Sequence, residues 1–422
     1  MTTRRVVFVN RYCYPDHSAT SQLLSDLAFH LAARGTAVTV VTGSQVYDDP
    51  AARLPRWVRV RGVDIHRVRT TRFGRSGLVG RAIDYLTFYW SAGWTLLRLL
   101  RGGDVVIAMT DPPLISVVAA AAARVRGATL VNWIQDLFPE IAVELEVPGA
   151  KVAAPLLKRL RDASMRAAAR NIVIGEGMAA KLLALGVDRD RLGVIHNWCC
   201  SPELRPLPAE RVALRGEWRL SGKFVVGYSG NMGRVHDVDT ILAAAQVLAA
   251  DPRIVFLFIG DGARRPLLQR RVDELNLGNV LFKPYQPLAY LSQSLAVADV
   301  HLVSLRPELE GLVVPSKFYG IAAAGRAVIN IGRPDGEVAC LIEQFGCGVT
   351  VAPGDARRLS EVIRDFAGNP AIWREMGGLA RRLHEERFDR AVALERWARA
   401  LPGHSGCESE VAVSHIGNLG AE

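Results

Sequence analysis

The sequence has little of what marks a zinc protein, a disulfide-bonded protein or a membrane-spanning protein. Its 422 residues contain six cysteines, which form neither a Cys-x-x-Cys pair nor a Cys/His cluster with metal-ligand spacing. We therefore expect all six to be reduced and structural. The longest uncharged runs, such as 85–97 and 112–123, are shorter than the ~20 apolar residues that cross a bilayer. The N-terminal apolar run, 6–9, is too short for a signal peptide, so we expect a cytoplasmic protein.

Lysine is also scarce, with six residues against 46 arginines, and the net charge is +10. A basic chain admits nucleic acid, anionic lipid or a phosphorylated ligand as its partner. No helix-turn-helix, RNP or zinc-finger pattern accompanies the charge, which disfavours nucleic acid. We attribute the arginine excess to genome composition, so most arginines need no functional explanation.

Glycine is missing from residues 10–20, which follow the first apolar strand. A nicotinamide-dependent oxidoreductase needs a Gly-x-Gly-x-x-Gly turn at this point, with an acidic residue at the end of the second strand. The absence of glycine therefore argues strongly against that class of enzyme.

Both halves of the chain open with the same strand-helix-strand pattern. In the first half, an apolar run, an amphipathic helix ending before Gly35 and a second apolar run predict a right-handed parallel unit. In the second half, a strand, a glycine-rich turn and a helix repeat the pattern. The predicted segments are 5–10, 20–34, 37–42, 105–109, 129–134 and 171–174, then 223–228, 238–250, 254–259, 280–282, 300–304 and 327–331.

These segments predict an α/β protein of two doubly wound parallel-sheet, Rossmann-like domains facing a central cleft. A stretch with three prolines and no long apolar period separates the two patterns and is interpreted as a linker. The predicted divisions are an N-terminal domain 1–198, a linker 199–222, a C-terminal domain 223–385, a C-terminal helix 386–401 and a disordered tail 402–422.

Residues 304–325 carry the strongest site pattern. A buried strand ends at Ser304, a polar loop with Glu308 and Glu310 follows, and a helix begins near Pro315 with Ser316 as its cap. The helix N-terminus beside Lys317 is suited to binding an anion. An ordinary capped surface helix fits the segment equally well.

The same segment resembles the donor-binding loop of the retaining GT-B glycosyltransferases of family four. Glu310-Gly311 and Pro315 match that family's Glu-Gly-x-x-x-Pro turn, and 323–325 match its small-residue helix end. The Pro-Ser-Lys-x-Tyr sequence at 315–319 is typical of a subgroup that builds bacterial exopolysaccharide and O-antigen, including colanic-acid and N-acetylfucosamine transferases. Further motifs of that subgroup occur in order at 11–15, 132–140, 227–233, 258–262 and 335–337.

The resemblance implies that the first domain binds the acceptor and the second binds the nucleotide sugar. Glu310, with the Gly311 amide, is expected to hold the hydroxyls of the donor sugar. Asp136 is expected either to orient a substrate or to cap the next helix, and Glu337 either to contact ribose or to cap a helix. The expected diphosphate-binding residues are Gly230, Asn231, Gly233, Arg234, Ser316 and Lys317, and the expected acceptor-side residues are His17, Ser18 and Thr20. For His17 alone, an exposed loop histidine is the favoured interpretation.

The sequence departs from the wider family at its donor site. Gly320 stands where a second Glu usually binds ribose, and Asn231 and His236 stand where Arg and Lys usually hold the diphosphate. We expect Arg234 and Lys317 to replace that charge. The same departures leave open a non-catalytic nucleotide-sugar-binding scaffold of a polysaccharide assembly complex.

The implied reaction is a retaining, metal-independent transfer from a UDP- or GDP-sugar. Fixed hydrogen-bond donors and cations would stabilise the leaving diphosphate, and no Asp-x-Asp pair precedes a donor strand. The implied acceptor is a polyprenyl-diphosphate-linked sugar, and the implied donor sugar is a deoxy sugar such as fucose or N-acetylfucosamine.

Residues 72–101 interleave basic and aromatic side chains, which suits the interface of an anionic membrane. The alternative is an aromatic-rich core helix with solvated arginines. We expect reversible, peripheral attachment to the inner face of the plasma membrane, where a lipid-linked acceptor lies. The residues are Arg72, Arg75, Arg81, Arg98 and Arg101, with Tyr85, Phe88, Tyr89, Trp90 and Trp94.

Overall fold

The structure, a computed structural model, describes residues 4–402 except 47, 48, 50, 51, 75, 76, 202, 209 and 210. The predicted disordered tail lies outside the described residues from position 403 on. The chain forms two compact units: unit 1 runs to His196 and resumes at Ala393, and unit 2 comprises Asn197–Val392. Of the cysteines in the described residues, Cys13, Cys340 and Cys347 are free.

Unit 1 is built on an eight-stranded sheet of order β3-β4-β2-β1-β5-β6-β7-β8. All neighbouring strands are parallel except the β3–β4 pair. Strands β1, β2 and β5 are buried along their whole length, as expected for parallel strands covered on both faces. The strands are β1 (Val6–Val9), β2 (Val38–Gly43), β3 (Trp57–Val60), β4 (Val63–Val68), β5 (Val105–Ala108), β6 (Thr129–Ile134), β7 (Arg170–Val173) and β8 (Leu192–Val194).

Helices α1 to α6 belong to the first part of unit 1. Helix α2 packs against α3, and α3 packs against α5. Gly35 lies two residues after the end of α1 and has a φ of 84°, the left-handed conformation that ends helices, as its position in the sequence predicted. The helices are α1 (Ala19–Ala33), α2 (Leu78–Leu99), α3 (Ile115–Arg126), α4 (Glu140–Glu144), α5 (Ala150–Ala167) and α6 (Glu176–Ala184).

Unit 2 is built on a six-stranded, fully parallel sheet of order β11-β10-β9-β12-β13-β14. Together the two sheets confirm the prediction of two doubly wound parallel-sheet units. The strands are β9 (Phe224–Ser229), β10 (Ile254–Ile259), β11 (Val280–Lys283), β12 (Val300–Ser304), β13 (Ala327–Ile331) and β14 (Gly348–Val351). The helices are α7 (Ala213–Glu217), α8 (Asp239–Val247), α9 (Arg265–Glu274), α10 (Leu291–Ala296), α11 (Lys317–Ala323), α12 (Glu337–Phe345), α13 (Ala356–Gly368) and α14 (Pro370–Leu383).

The predicted C-terminal helix is divided in two. A π-helical turn occupies His384–Phe388, and helix α15 spans Arg390–Ala400. Trp397 of α15 is fully buried, and its ring lies 4.5 Å from the ring of Trp133 on β6. This aromatic contact anchors α15 within unit 1, since a buried Trp contributes several kcal/mol, roughly 3–5 by the usual cost of its removal.

Candidate active site

Two glycine-rich loops meet at the carboxyl edge of the unit 2 sheet. The loop after β9 hydrogen-bonds to the end of β10 and to the loop that follows it: Gly230 N donates to Ile259 O and Met232 N donates to Asp261 O, both at 2.8 Å. These bonds occupy two amides of the 230–233 loop. The amides of Asn231 and Gly233 bind no group within the described residues, so the predicted set of diphosphate-binding amides is reduced to these two.

The close approach of the loops explains two glycines of the second loop. A Cβ on Gly260 would lie 2.4 Å from the carbonyl oxygen of Gly230. A Cβ on Gly262 would lie 2.4 Å from Asn231 Oδ1 and 2.6 Å from Met232 N. Any side chain at either position would push the 230–233 loop away.

Lys317, the first residue of α11, points at the same loop. Its Nζ donates to His236 Nε2 at 2.8 Å and lies 4.9 Å from the ring centre of Tyr228. His236 Nδ1 in turn lies 2.6 Å from the carbonyl oxygen of Ser304 and donates to it. A Cβ on Gly230 would lie only 3.2 Å from Lys317 Cε, so the absence of a side chain there leaves room for the lysine.

This lysine has no carboxylate partner in the part of the chain that the structure describes. Burial lowers the pKa of Lys317 to about 7, although the side chain keeps some solvent access. Burial and the neighbouring Lys317 lower the pKa of His236 to about 3, so the imidazole is neutral. The arrangement is a lysine amine held against a neutral acceptor.

Ser316 does not cap α11 as its position in the sequence predicted. Its backbone is already helical, with φ −60° and ψ −19°, and its side chain makes no capping hydrogen bond. A capping residue needs an extended backbone for its oxygen to reach the free amides, so this prediction was wrong. The expected role of Ser316 in diphosphate binding stays a prediction, and its side chain is exposed.

Glu310 reaches across to the start of α12. Its Oε1 accepts the backbone N–H of Glu337 at 2.8 Å, and a Cβ on Gly336 would lie 2.6 Å from its Oε2. Burial, followed by the repulsion of Glu337 and Asp335, raises the pKa of Glu310, and the Glu337 amide opposes that rise. One carboxylate oxygen is therefore fixed by a helix N-terminus, which orients the other.

The residues beside Glu310 have defined positions. Gly311 adopts a φ of 71° at the turn that follows, a conformation that favours glycine. Glu337 is the first residue of α12 and is buried, while Gly336 occupies the capping position. The alternative that Glu337 caps a helix is therefore wrong, and its expected contact with ribose stays a prediction.

Arg234 is another residue that the sequence predicted to bind the diphosphate. Its exposed side chain lines a cavity of about 530 Å³ on unit 2, and Lys317 is not part of that lining. Arg264 in the same wall pairs with Asp239 at 3.1 Å, and Arg306 pairs with Glu308. The expected role of Arg234 in diphosphate binding stays a prediction.

The carboxyl edge of the unit 1 sheet carries acidic groups. Residues that follow β1, β5 and β6 meet there, because these strands are neighbours in register. Arg11 N donates to Asp111 O at 2.6 Å. The Asp136 carboxylate is solvent-accessible yet surrounded by protein atoms; this crowding, with the charge of Asp111, raises its pKa to about 6. Asp136 does not cap α4, whose capping position is held by Pro139.

Known sequences and structures show what this arrangement belongs to. Residues 20–198 match the protein family described as "Glycosyl transferase 4-like domain". Residues 223–369 match the family described as "Glycosyl transferases group 1". The chain belongs to glycosyltransferase family four. It is a nucleotide-sugar-dependent glycosyltransferase of GT-B fold, as the sequence motifs predicted, and not a non-catalytic scaffold.

Relatives match over nearly the full length. A probable glycosyltransferase, WbjE of Pseudomonas aeruginosa, is 27% identical, covering 94% of this chain and 97% of its own. A putative colanic acid biosynthesis glycosyl transferase, WcaI of Escherichia coli K12, is 25% identical, covering 92% and 97%.

Solved structures share the fold. Sucrose-phosphate synthase from Thermosynechococcus elongatus has a TM-score of 0.74 at 17% identity, covering 94% of this chain and 98% of its own. Anabaena HepE, solved with UDP-glucose, has a TM-score of 0.68 at 16% identity with the same coverage.

The expected acceptor-side residues of the glycosyltransferase lie around the start of α1. His17 is exposed, as favoured for a loop histidine, and its carbonyl accepts a bond from Gln22 Nε2 at 2.6 Å. The amide and hydroxyl of Ser18 both bind Asp16 Oδ1. Thr20 is the second residue of α1 and is partly exposed. Their expected contacts with the acceptor stay predictions.

Helix α2 of the glycosyltransferase has two apolar stripes. Phe88, Ala92 and Leu96, four residues apart, are buried against unit 1. The opposite stripe is exposed and consists of Ile83 (37%), Leu86 (64%), Trp90 (80%) and Trp94 (53%). The two proposed interpretations of 72–101 thus apply to different faces of one helix. Of its arginines, Arg75 lies outside the described residues.

The inward and outward sides of α2 differ in polar contacts as well. Tyr89 donates its hydroxyl to the carbonyl of Pro113, and Arg11 lies 5.0 Å from the ring of Tyr85. On the exposed side, Arg98 lies 4.6 Å from the ring of Trp94. Within the described residues, no helix of the glycosyltransferase is long and apolar enough to span a membrane.

Sequence reasoning missed three contributors to the site. The sequence analysis named His236 only as a residue that differs from the wider family, and it did not name Asp111. It included Gly336 in a motif without explaining why a glycine is needed there. Asp111 could have been found, because it lies three residues after the end of β5 and parallel neighbours bring strand ends together. The contact between His236 and Lys317 joins residues 81 positions apart and leaves no local pattern.

Proposed function

We propose that this glycosyltransferase moves a sugar from a UDP- or GDP-sugar to a polyprenyl-diphosphate-linked glycan during the synthesis of a bacterial surface polysaccharide. The name of WcaI, which refers to colanic acid biosynthesis, supports the polysaccharide, and the UDP-glucose in the HepE structure supports a nucleotide-diphosphate donor. The donor panel to be tested includes fucose and N-acetylfucosamine donors, which the Pro-Ser-Lys subgroup favours.

The observation that carries the proposal is the uncompensated lysine beside the glycine loop. A partly buried ammonium whose hydrogen-bond partner is a neutral imidazole lacks an anion, and a diphosphate supplies one. The unbound amides of Asn231 and Gly233 lie in the same loop and add two donors. Such fixed donors stabilise a leaving diphosphate most as its charge develops.

We propose a retaining reaction without a metal. The acceptor hydroxyl forms its bond to the anomeric carbon on the face from which the diphosphate departs, and the bond from that carbon to the phosphate oxygen breaks. The departing phosphate oxygen takes the hydroxyl proton. Lys317 supplies the positive charge that a metal ion would otherwise supply, and metal independence stays part of the proposal.

Glu310 and Asp136 are proposed to hold the sugars. Because the Glu337 amide fixes Glu310 Oε1, its Oε2 is oriented to accept hydroxyl groups, with the Gly311 amide beside it. Asp136 accepts no hydrogen bond within the described residues, so its carboxylate is available to a substrate. Both roles can be tested by substitution.

The exposed stripe of α2 is proposed to contact an anionic membrane. A helix in a soluble unit buries one apolar stripe, and a second stripe with two largely exposed tryptophans suits the headgroup region. Arg98 beside Trp94, with the exposed Arg101, complements anionic lipids. This contact would hold the enzyme where a lipid-linked acceptor lies.

The test is calorimetric titration with UDP and, separately, GDP, on wild type and on Lys317→Ala. We expect one nucleotide to bind and the substitution to weaken it by about tenfold, or about 1.4 kcal/mol. Lys223→Ala is the matched control, because Lys223 binds only the surface carbonyl of Pro252. If neither nucleotide binds wild type, the proposed donor is wrong.

A further inference from the structure

His236 links two parts of the donor site. It follows the glycine loop, its Nδ1 donates to the carbonyl that ends β12, and its Nε2 accepts from the first residue of α11. Because a carbonyl only accepts, the Nδ1 must carry the proton and the Nε2 of the neutral ring must present its lone pair to Lys317. The imidazole is thus locked in one tautomer, at 2.8 Å from the lysine.

Within the described residues, no carboxylate pairs with Lys317 or His236. Tyr228 on β9 lies beside both residues, and burial raises the pKa of its hydroxyl. The positive charge of Arg264 also acts on His236. Arg264 Nη1 donates to the His236 carbonyl at 3.0 Å. An ammonium in this setting is destabilised until an anion arrives, which agrees with the lowered pKa of Lys317.

We propose that His236 is a positioning residue that holds the Lys317 amine against the glycine loop, and that the lysine takes up a proton when the donor diphosphate binds and releases it when the nucleotide leaves. This inference rests on the proposed donor. The step is balanced: the amine gains one proton from solvent, and the diphosphate compensates its charge. The neutral imidazole gives the amine an acceptor in either state, so its position does not change.

The sign of the pH dependence follows from linkage. With the pKa near 7 in the free enzyme and higher beside a diphosphate, nucleotide binding consumes a proton above pH 7. Affinity therefore falls as the pH rises through 7 and beyond, by up to about tenfold per pH unit. Below that pH the lysine is already protonated, and affinity levels off.

The experiment is calorimetric titration at pH 8 with whichever of UDP or GDP binds, in two buffers that differ in heat of ionisation. Wild type should take up close to one proton per nucleotide. Lys317→Gln should bind more weakly and take up none. If wild type binds without proton uptake, or the uptake persists in Lys317→Gln, the inference is overturned while the proposed donor stands. If no nucleotide binds, both are overturned.

Two substitutions of His236 separate positioning from mere structure. His236→Asn keeps a donor for the Ser304 carbonyl but removes the acceptor for Lys317, whereas His236→Gln places an amide oxygen toward Lys317. We expect about tenfold weaker nucleotide binding and a displaced pH profile in His236→Asn, and a change within about threefold in His236→Gln. Equal losses in the two variants, with an unchanged pH profile, would show that His236 only supports the fold.

Discussion

Lys317 in unit 2 and Asp136 in unit 1 are ionisable groups of opposite type, and neither has an oppositely charged partner within the described residues. In unit 2, Lys317 meets a neutral imidazole and its pKa is lowered; in unit 1, Asp136 lies near another carboxylate and its pKa is raised. Both displacements mean that the folded chain disfavours the charged form of the group. Groups kept in this way at strand ends are typical of sites rather than of scaffold. The difference agrees with the proposed diphosphate beside Lys317 and the proposed sugar hydroxyls beside Asp136.

The substitution Asp136→Asn is expected to have the largest effect, because it removes the ionisable group of the unit 1 edge. We expect sugar transfer to fall about 10²–10³-fold, within the range usual for a positioned carboxylate. Wild-type activity should also fall as the pH drops through about 6, and this acid limb should vanish in the variant. Initial rates from pH 5 to 9 measure both effects. Glu144→Gln, an exposed carboxylate on α4, serves as control.

The thermal stability of Asp136→Asn is a test that is independent of its activity. The pKa of Asp136 is higher in the folded chain than in the unfolded chain, so as the pH rises the unfolded chain loses this proton first. The free energy of unfolding therefore falls as the pH rises from about 4 to about 6. Asp136→Asn should therefore melt at a higher temperature than wild type at pH 7, and the gap should close at pH 4. A variant that is both inactive and less stable at pH 7 would indicate a structural role.

Gly262→Ala tests whether the unit 2 edge depends on its loop geometry. The new Cβ would lie 2.4 Å from Asn231 Oδ1 in a backbone of φ 148°, so the loop near Lys317 must shift. We expect nucleotide affinity to fall about thirtyfold, or about 2 kcal/mol. Gly278→Ala, where no atom lies within 4 Å of the new Cβ, is the matched control. Equal calorimetric affinities in the two variants would contradict the loop's role.

The two units also differ in the apolar residues that their helices expose to solvent. Helix α8 of unit 2 exposes Val247, whereas unit 1 exposes a stripe on α2. Replacing Trp90 and Trp94 by Ser should reduce binding to anionic vesicles at low salt about tenfold. The free energy of unfolding should change by about 0.5 kcal/mol or less, as usual for surface sites. Co-sedimentation measures binding, with Val247→Ser as control; equal sedimentation of both would remove the proposed membrane contact.

The sequence predicted most strands because their apolar runs are continuous. The segments 129–134, 254–259, 300–304 and 327–331 were predicted with the bounds that the structure has. The β3–β4 hairpin was missed, because its outer strand alternates between exposed and half-buried residues and lacks an apolar run. It turns through Arg61 and Gly62, both with positive φ, a geometry that has only a weak signal in this sequence.

The site was less predictable than the fold. Motifs singled out Glu310 and Lys317, but the partners of these residues come from distant positions: Glu310 binds a backbone amide 27 residues away, and Lys317 binds His236. Hydrogen bonds that depend on tertiary packing leave no spacing rule to detect. The capping prediction for Ser316 failed for a related reason, since propensity cannot show that the helical backbone already includes the residue.

The return of the chain to unit 1 has a consequence for synthesis on the ribosome. Trp133 is made early, but its aromatic neighbour Trp397 emerges only after the whole of unit 2 has been translated. Unit 1 therefore cannot complete its packing as it is made, and the nascent chain must carry an unfinished first unit through the synthesis of about half its length. In cells, we expect chaperones to shield the β6 side of the nascent chain until α15 has been synthesised.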